Sequence, residues 1–281
     1  MERTHRDIVG SGGRVRVYEQ GPVDAPVVLC LHSLFVDARA FTALADLLSD
    51  EFRLICPDLP GFGDSEKPPP SRFSYGIDAF TEVLVDLYGG LGLRRATVIG
   101  HGLGGSIAMT LAARHSELVS RLVLVDPICR QSPLFLGHRA LLVPFVGGIV
   151  YKQLVGRTAF RTIFRDRLYG DGSGVQSETL DAYFESFNSP AGRGSLLATL
   201  RATSDTRPVL AQTALLNVPT LVVWGRHDRF QPASFGQRLS REIRNAGFEL
   251  YNCGHSPHEE LPDELAPSLR RFLRSERPSG T

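Results

Sequence analysis

The segment Ile99-Gly100-His101-Gly102-Leu103-Gly104-Gly105 has the spacing of a strand-to-helix turn built to present a reactive side chain, but glycine occupies the presenting position. With serine third in Gly-x-x-x-Gly, this would be the nucleophile elbow, which lifts a hydroxyl clear of a sheet beside a backbone amide that can stabilise a developing oxyanion. Gly102 has no side chain and can attack nothing. The elbow also holds its central residue in a backbone conformation that costs about 1–3 kcal/mol for any residue with a Cβ. Glycine relieves that strain, so the exchange is expected to leave the fold intact or firmer.

Little other chemistry is visible. There is no phosphate loop, dinucleotide fingerprint or metal constellation, so no cofactor and no metal are expected. Cys30, Cys56, Cys129 and Cys253 lack C-x-x-C or finger-like spacing and read as reduced, apolar strand residues. The chain has 281 residues, is 42% hydrophobic and has a net charge of +1. That length can bury roughly three quarters of the unfolded surface, enough for one large domain with an inserted part. Near-neutral charge gives no reason to expect nucleic acid or an anionic membrane as partner. Met1 to Gly10 is too polar for a signal peptide, and no apolar run approaches the ~20 residues needed to span a bilayer. The expectation is a cytoplasmic protein acting on a small molecule.

The elements that must position the elbow alternate in type. Gly12-Gly13 followed by the alternation of Arg14–Glu19 predicts an opening hairpin. Short apolar runs at Val27–Leu31 and Arg53–Cys56 predict strands covered on both faces, and further strands are predicted at Ala96–Gly100, Leu122–Val125, Leu221–Trp224 and Glu249–Tyr251. Helical spacing joins Phe41, Leu44, Ala45 and Leu48, then Ile77, Phe80, Leu84 and Leu87. Further helices are predicted from Leu103 to about His115 and from about Asp263 to Leu273, with a frayed tail from Ser275. Strands alternating with helices imply an α/β fold, a mostly parallel sheet flanked by helices.

From Gln131 to Leu215 this rhythm breaks into helices with Gly- and Pro-rich interruptions. The predicted organisation is a core of residues 1–130 and 216–281 with a helical cap of 131–215 inserted between two strands. Such a cap shapes a pocket and excludes water. Its row of Arg157, Arg161 and Arg165, with Phe160, Ile163 and Phe164 on the other side, reads as a solvated helix face rather than an anion site.

Four motifs give the chain a family resemblance over roughly residues 8–274. Leu29-Cys30-Leu31-His32 ends a strand. Pro57-Asp58-Leu59-Pro60-Gly61-Phe62-Gly63-Asp64-Ser65 is glycine-rich. Trp224-Gly225-Arg226-His227-Asp228 forms a turn, and Cys253-Gly254-His255 opens a loop that runs to Pro262. Together and in this order they resemble the α/β-hydrolase superfamily, in its single-domain type with a helical cap. The resemblance implies that Asp228 orients His255, that His255 moves protons, and that the amides of Leu34 and Leu103 form the oxyanion hole. Asp126, past the preceding strand, is the fallback acid. His32, Ser33 and His101 are possible pocket residues, His101 without a catalytic role. His227 and His258 read as surface loop residues.

Two positions depart from the family. Besides Gly102, Ser33 follows His32 where relatives commonly have glycine. A nucleophile relocated to Ser33 is disfavoured at this stage, because His255 is expected to aim at the elbow. The aspartate nucleophile of epoxide hydrolases and haloalkane dehalogenases is missing as well. The reading that follows is an enzyme acting on a small, largely apolar ester, lactone or ketone by noncovalent general acid–base catalysis, of hydrolase, lyase or cyclase type. Water or a substrate oxygen is expected to fill the space beside Gly102. Two alternatives stand beside it: a noncatalytic ligand-binding protein, and an ordinary serine esterase or C–C hydrolase carrying a Ser-to-Gly knockout.

Overall fold

A computed structural model of the chain describes residues 3–130, 156–170 and 175–275. Eight strands form one sheet: β1 (Thr4–Gly10), β2 (Gly13–Gln20), β3 (Val27–Leu31), β4 (Arg53–Pro57), β5 (Ala96–His101), β6 (Val119–Val125), β7 (Thr220–Gly225) and β8 (Gly247–Tyr251). Their spatial order is β1-β2-β4-β3-β5-β6-β7-β8. The hairpin expected around Gly12-Gly13 is β1–β2, antiparallel, and β2 pairs antiparallel with β4. All later pairings are parallel. Every residue of β5 and β7 is buried, which explains why those strands read as unbroken apolar runs rather than alternating ones.

The helices cover both faces. They are α1 (Thr42–Leu48), α2 (Ile77–Leu91), α3 (Leu103–Arg114), α4 (Arg157–Ile163), α5 (Ser177–Phe187), α6 (Pro190–Ala202), α7 (Arg207–Ala211), α8 (Ala233–Glu242), α9 (Pro257–Glu260) and α10 (Pro262–Arg274). In α2 the apolar spacing becomes a packed face of Phe80, Val83, Leu84 and Leu87. The amphipathic stripe of α10 buries Leu265, Ala266, Leu269 and Leu273. The sequence did not reveal α8, whose only buried residues are Gly236 and Leu239, too few to make a periodic signal. No helix among the described residues is long and apolar enough to cross a membrane.

Between β6 and β7 the described residues form α4 to α7 with short turns between them. The expected breaks at Pro144 and Gly147-Gly148, most of the glycine-rich break after Gly170, and the tail beyond Ser275 lie outside the described residues. The arginine row is partly consumed by ion pairing. Arg161 Nε donates to Asp181 Oδ1 at 2.6 Å, and Arg157 pairs with Glu185 and approaches Asp181. Phe160 and Phe164 are buried beneath this row, but Ile163 is 49% exposed rather than packed with them.

This helical segment is stitched to the loop after β8 by buried carboxylates. Tyr183 Oη donates to Glu259 Oε1 at 2.6 Å and Tyr169 Oη to Glu259 Oε2 at 3.3 Å. Burial pushes the Glu259 carboxyl up from its ordinary 4.5 to about 7. The folded protein thus holds a proton on Glu259 over an interval where the unfolded chain has released it. Stability contributed by this group is complete below about pH 4.5 and lost as the pH rises through about 7. Glu259→Gln should remove that dependence. Thermal melts of the two proteins are expected to converge near pH 4.5 and to separate in favour of the variant toward pH 8.

Candidate active site

The site stands at the carboxyl ends of the parallel strands, where open α/β sheets place their ligands. β3 and β5 pair in parallel with Leu31 opposite Gly100. Continued two residues further, that register brings Ser33 beside Gly102. Close approach of the two segments depends on Gly104, because a Cβ there would collide with the carbonyls of Leu31 and His32.

Gly102 keeps the elbow's strained conformation, with φ +51° and ψ −111°. The backbone is clamped on both sides: its N–H donates to Val125 O at 3.0 Å, and its carbonyl accepts from Ile128 N–H at 3.0 Å. α3 starts at the next residue, so the elbow survives in every respect but its side chain.

Asp228 and His255 lie in contact. His255 Nδ1 donates to Asp228 Oδ2 at 2.7 Å, with both side chains buried. The other oxygen, Oδ1, accepts from the N–H groups of Phe230 (2.7 Å) and Gln231 (2.8 Å), which fixes the carboxylate. With Nδ1 so engaged, Nε2 is the free working nitrogen, and it stands 3.5 Å from where a Cβ on Gly102 would be. The Phe230 ring closes on the imidazole edge-on, with centroids 5.2 Å apart.

Asp126 does not reach the histidine. Its oxygens accept from Gly225 N–H at 3.1 and 3.3 Å. Burial, followed by the nearby charge of Asp228, pushes its carboxyl well above the usual range. Asp126, Asp228 and His255 bring one ligand atom each within 4.8 Å of one another. They are the candidate cation ligands among the described residues, but the oxygens of Asp228 are already taken by His255 and two amides.

The space beside Gly102 is not open to water as expected. An ideal Cβ on Gly102 would lie 2.7 Å from Ser33 Cβ and closer still to Ser33 Oγ, separations that packed carbon atoms do not show. The Ser33 hydroxyl therefore fills the volume of the missing side chain. Its oxygen accepts from Leu103 N–H at 3.2 Å. The sequence reading set Ser33 aside because His255 should aim at the elbow. In the structure the elbow is where Ser33 stands.

The remaining histidines form the scaffold. His32 donates from Nδ1 to Ser33 O (2.8 Å) and accepts at Nε2 from Leu59 N–H (2.9 Å), tying the loop after β3 to the loop after β4. His101 Nε2 bonds His255 O at 2.9 Å. His258 is a correction to the sequence reading: it is fully buried, not a surface residue. It stacks on Phe41 at 4.7 Å and lies 4.5 Å from His101, ring to ring. Burial lowers both, His258 to about 3, so this cluster is uncharged. No local pattern marked His258 as buried, because its neighbours arrive from the turn before α1 and from β5. His227, in contrast, is exposed and pairs with Asn252 as a surface loop residue would.

The helical segment after β6 presses directly on this site. His255 N–H donates to Leu168 O at 2.6 Å, and Glu260 gathers the N–H groups of Gly170, Gly254 and Ser256. Phe35, next to Leu34, packs its ring against Phe164 and Phe187.

Sequence and structure comparisons bear on this geometry. The family model for the alpha/beta hydrolase fold matches residues 26–262. The chain belongs to the α/β-hydrolase family. It is 26% identical over 253 residues to the hydrolase YugF of Bacillus subtilis (strain 168), covering 88% of this chain and 89% of that protein. It is 29% identical over 277 residues to the 2-hydroxymuconate semialdehyde hydrolase of Pseudomonas putida, covering 95% and 93%. The crystal structure of the enol-lactonase from Burkholderia xenovorans LB400 superposes with a TM-score of 0.81 at 24% identity, covering 96% of this chain and 100% of that one. The chain is thus an α/β-hydrolase family enzyme, with the eight-stranded, mostly parallel sheet of its structural relatives.

Steric exclusion between residues 33 and 102 can be measured through stability. Gly102→Ala should cost about 1–3 kcal/mol for the backbone conformation, plus a further loss from collision with Ser33. In the Ser33→Gly/Gly102→Ala double variant the collision share should return. Denaturant unfolding of the four proteins in the cycle checks this, and a double variant no more stable than Gly102→Ala would show that the two residues do not compete for space.

Proposed function

We propose that this enzyme acts on a small, largely apolar carbonyl compound, an ester, lactone or ketone, through a general acid–base pair formed by His255 and Asp228. One observation carries the reading: the buried 2.7 Å contact between His255 Nδ1 and Asp228 Oδ2, with Nε2 turned toward residue 102. No bond can form to Gly102, which has no side chain, so the pair's part is to move protons. His255 draws a proton from an oxygen held there and later returns one to the leaving group. The amides of Leu34 and Leu103 are the proposed oxyanion donors.

Phe35, Phe164, Phe187 and Phe230 support an apolar substrate. The helices between β6 and β7 act in this reading as the cap that keeps water from the reacting atoms. A carbonyl-bearing substrate also agrees with the name of the 29% identical 2-hydroxymuconate semialdehyde hydrolase. Four free cysteines suit a reducing compartment such as the cytoplasm. The reaction so proposed uses no cofactor.

The test is a panel of short esters, lactones and ketones with the variants below. His255→Ala should lower kcat/KM by about 10²–10⁴, and Asp228→Asn by a similar factor through loss of the correct tautomer. Asp126→Asn should stay within about tenfold of the parent protein, since an amide imitates a protonated carboxyl. Unchanged turnover in His255→Ala would sink the reading.

A further inference from the structure

We infer that Ser33 is the nucleophile of this site, its hydroxyl standing in for the serine that the elbow lacks. The inference rests on the His255–Asp228 pair proposed above and names the oxygen from which that pair takes its proton. Three observations lead to it. The Ser33 side chain lies inside the volume a side chain on Gly102 would claim, and a Cβ at that position would stand 3.5 Å from His255 Nε2. The hydroxyl is held rather than loose, because Leu103 N–H donates to its oxygen at 3.2 Å. Ser33 and His255 are only 4% and 3% exposed, so a proton leaving the hydroxyl has the imidazole to go to rather than bulk water.

The amides support the same assignment. In an elbow the oxyanion is stabilised by the N–H of the residue after the nucleophile and by an N–H from the loop after β3. Here those are Leu103, after Gly102, and Leu34, after Ser33. Moving the hydroxyl from position 102 to position 33 keeps both amides beside it and only exchanges which is the nucleophile's own neighbour. The Leu34 N–H has no acceptor among the described residues and is available for an oxyanion.

The chemistry balances with water as the second reactant. Ser33 Oγ bonds to the carbonyl carbon of an ester or lactone while its proton passes to His255 Nε2. The carbonyl electron pair moves onto oxygen and then returns, breaking the bond to the leaving alkoxide, which takes the proton from His255. Water then attacks the acyl-Ser33 ester with His255 again as base, releasing the acid and restoring the hydroxyl.

A fluorophosphonate tests this without knowledge of the natural substrate. Attack by Ser33 forms an O–P bond and expels fluoride, leaving a fixed mass increment on one peptide. The expected result is labelling at Ser33, absent in Ser33→Ala and slowed at least 100-fold in His255→Ala, together with a fall of more than about 10³ in p-nitrophenyl acetate hydrolysis in Ser33→Ala. In the exchange variant Ser33→Gly/Gly102→Ser the label should move to residue 102. A parent protein that takes no label, or takes it elsewhere, overturns the inference, as does Ser33→Ala turnover within twofold of the parent. If His255→Ala still loses turnover in those cases, the acid–base reading stands and only the role of Ser33 falls. If His255→Ala is also unaffected, both fall.

Discussion

The ends of β3 and β5 approach so closely that the space beside the elbow admits one side chain. Much else follows from that exclusion. Gly104 must be bare for the two segments to meet, and the parallel register then sets residue 33 against residue 102. Whichever of the two carries a side chain fills the volume that His255 Nε2 faces, and the other must be glycine or yield. In this chain Ser33 has the side chain and Gly102 has the strained backbone. What looks in one dimension like an empty position is in three dimensions filled by the side chain of the neighbouring segment.

The other half of the site is set by a firmer interaction. Asp228 is held by two backbone amides and holds His255 in turn, so the imidazole has one orientation and one working nitrogen. Asp126 sits behind Asp228, its carboxyl pushed upward by burial and by that neighbouring charge. The imidazoles of His101 and His258 pack against the same region in neutral form, held there by burial. Around a reacting oxygen such surroundings strengthen each directed hydrogen bond, because little water is present to screen it.

The helices after β6 couple to this machinery through the backbone as well as through side chains. The bond from His255 N–H to Leu168 O, and the amides collected by Glu260, join the histidine loop to the segment that crosses it. The loop that carries His255 and the helical segment after β6 are therefore tied together. Contacts of Phe35 with Phe164 and Phe187 extend that connection to the oxyanion loop.

Much of this was legible in the amino-acid order. Short apolar runs declared the buried strands because both faces of a parallel sheet are covered, and α3 was plain because its start is fixed by the elbow glycines. Asp228 and His255 could be picked out because each lies in a local motif a few residues long. The short helix α8 was not visible, having too small a buried face to print a period. Burial of His258 was hidden too, since the rings that cover it come from distant segments. The sequence by itself determined the order of elements and the absence of a side chain at residue 102, and it singled out Asp228 and His255 as a pair. Only the tertiary structure decided which side chain fills the volume beside Gly102. That depends on the parallel pairing of two strand ends whose key residues, Ser33 and Leu103, are 70 positions apart, a distance no local pattern can span.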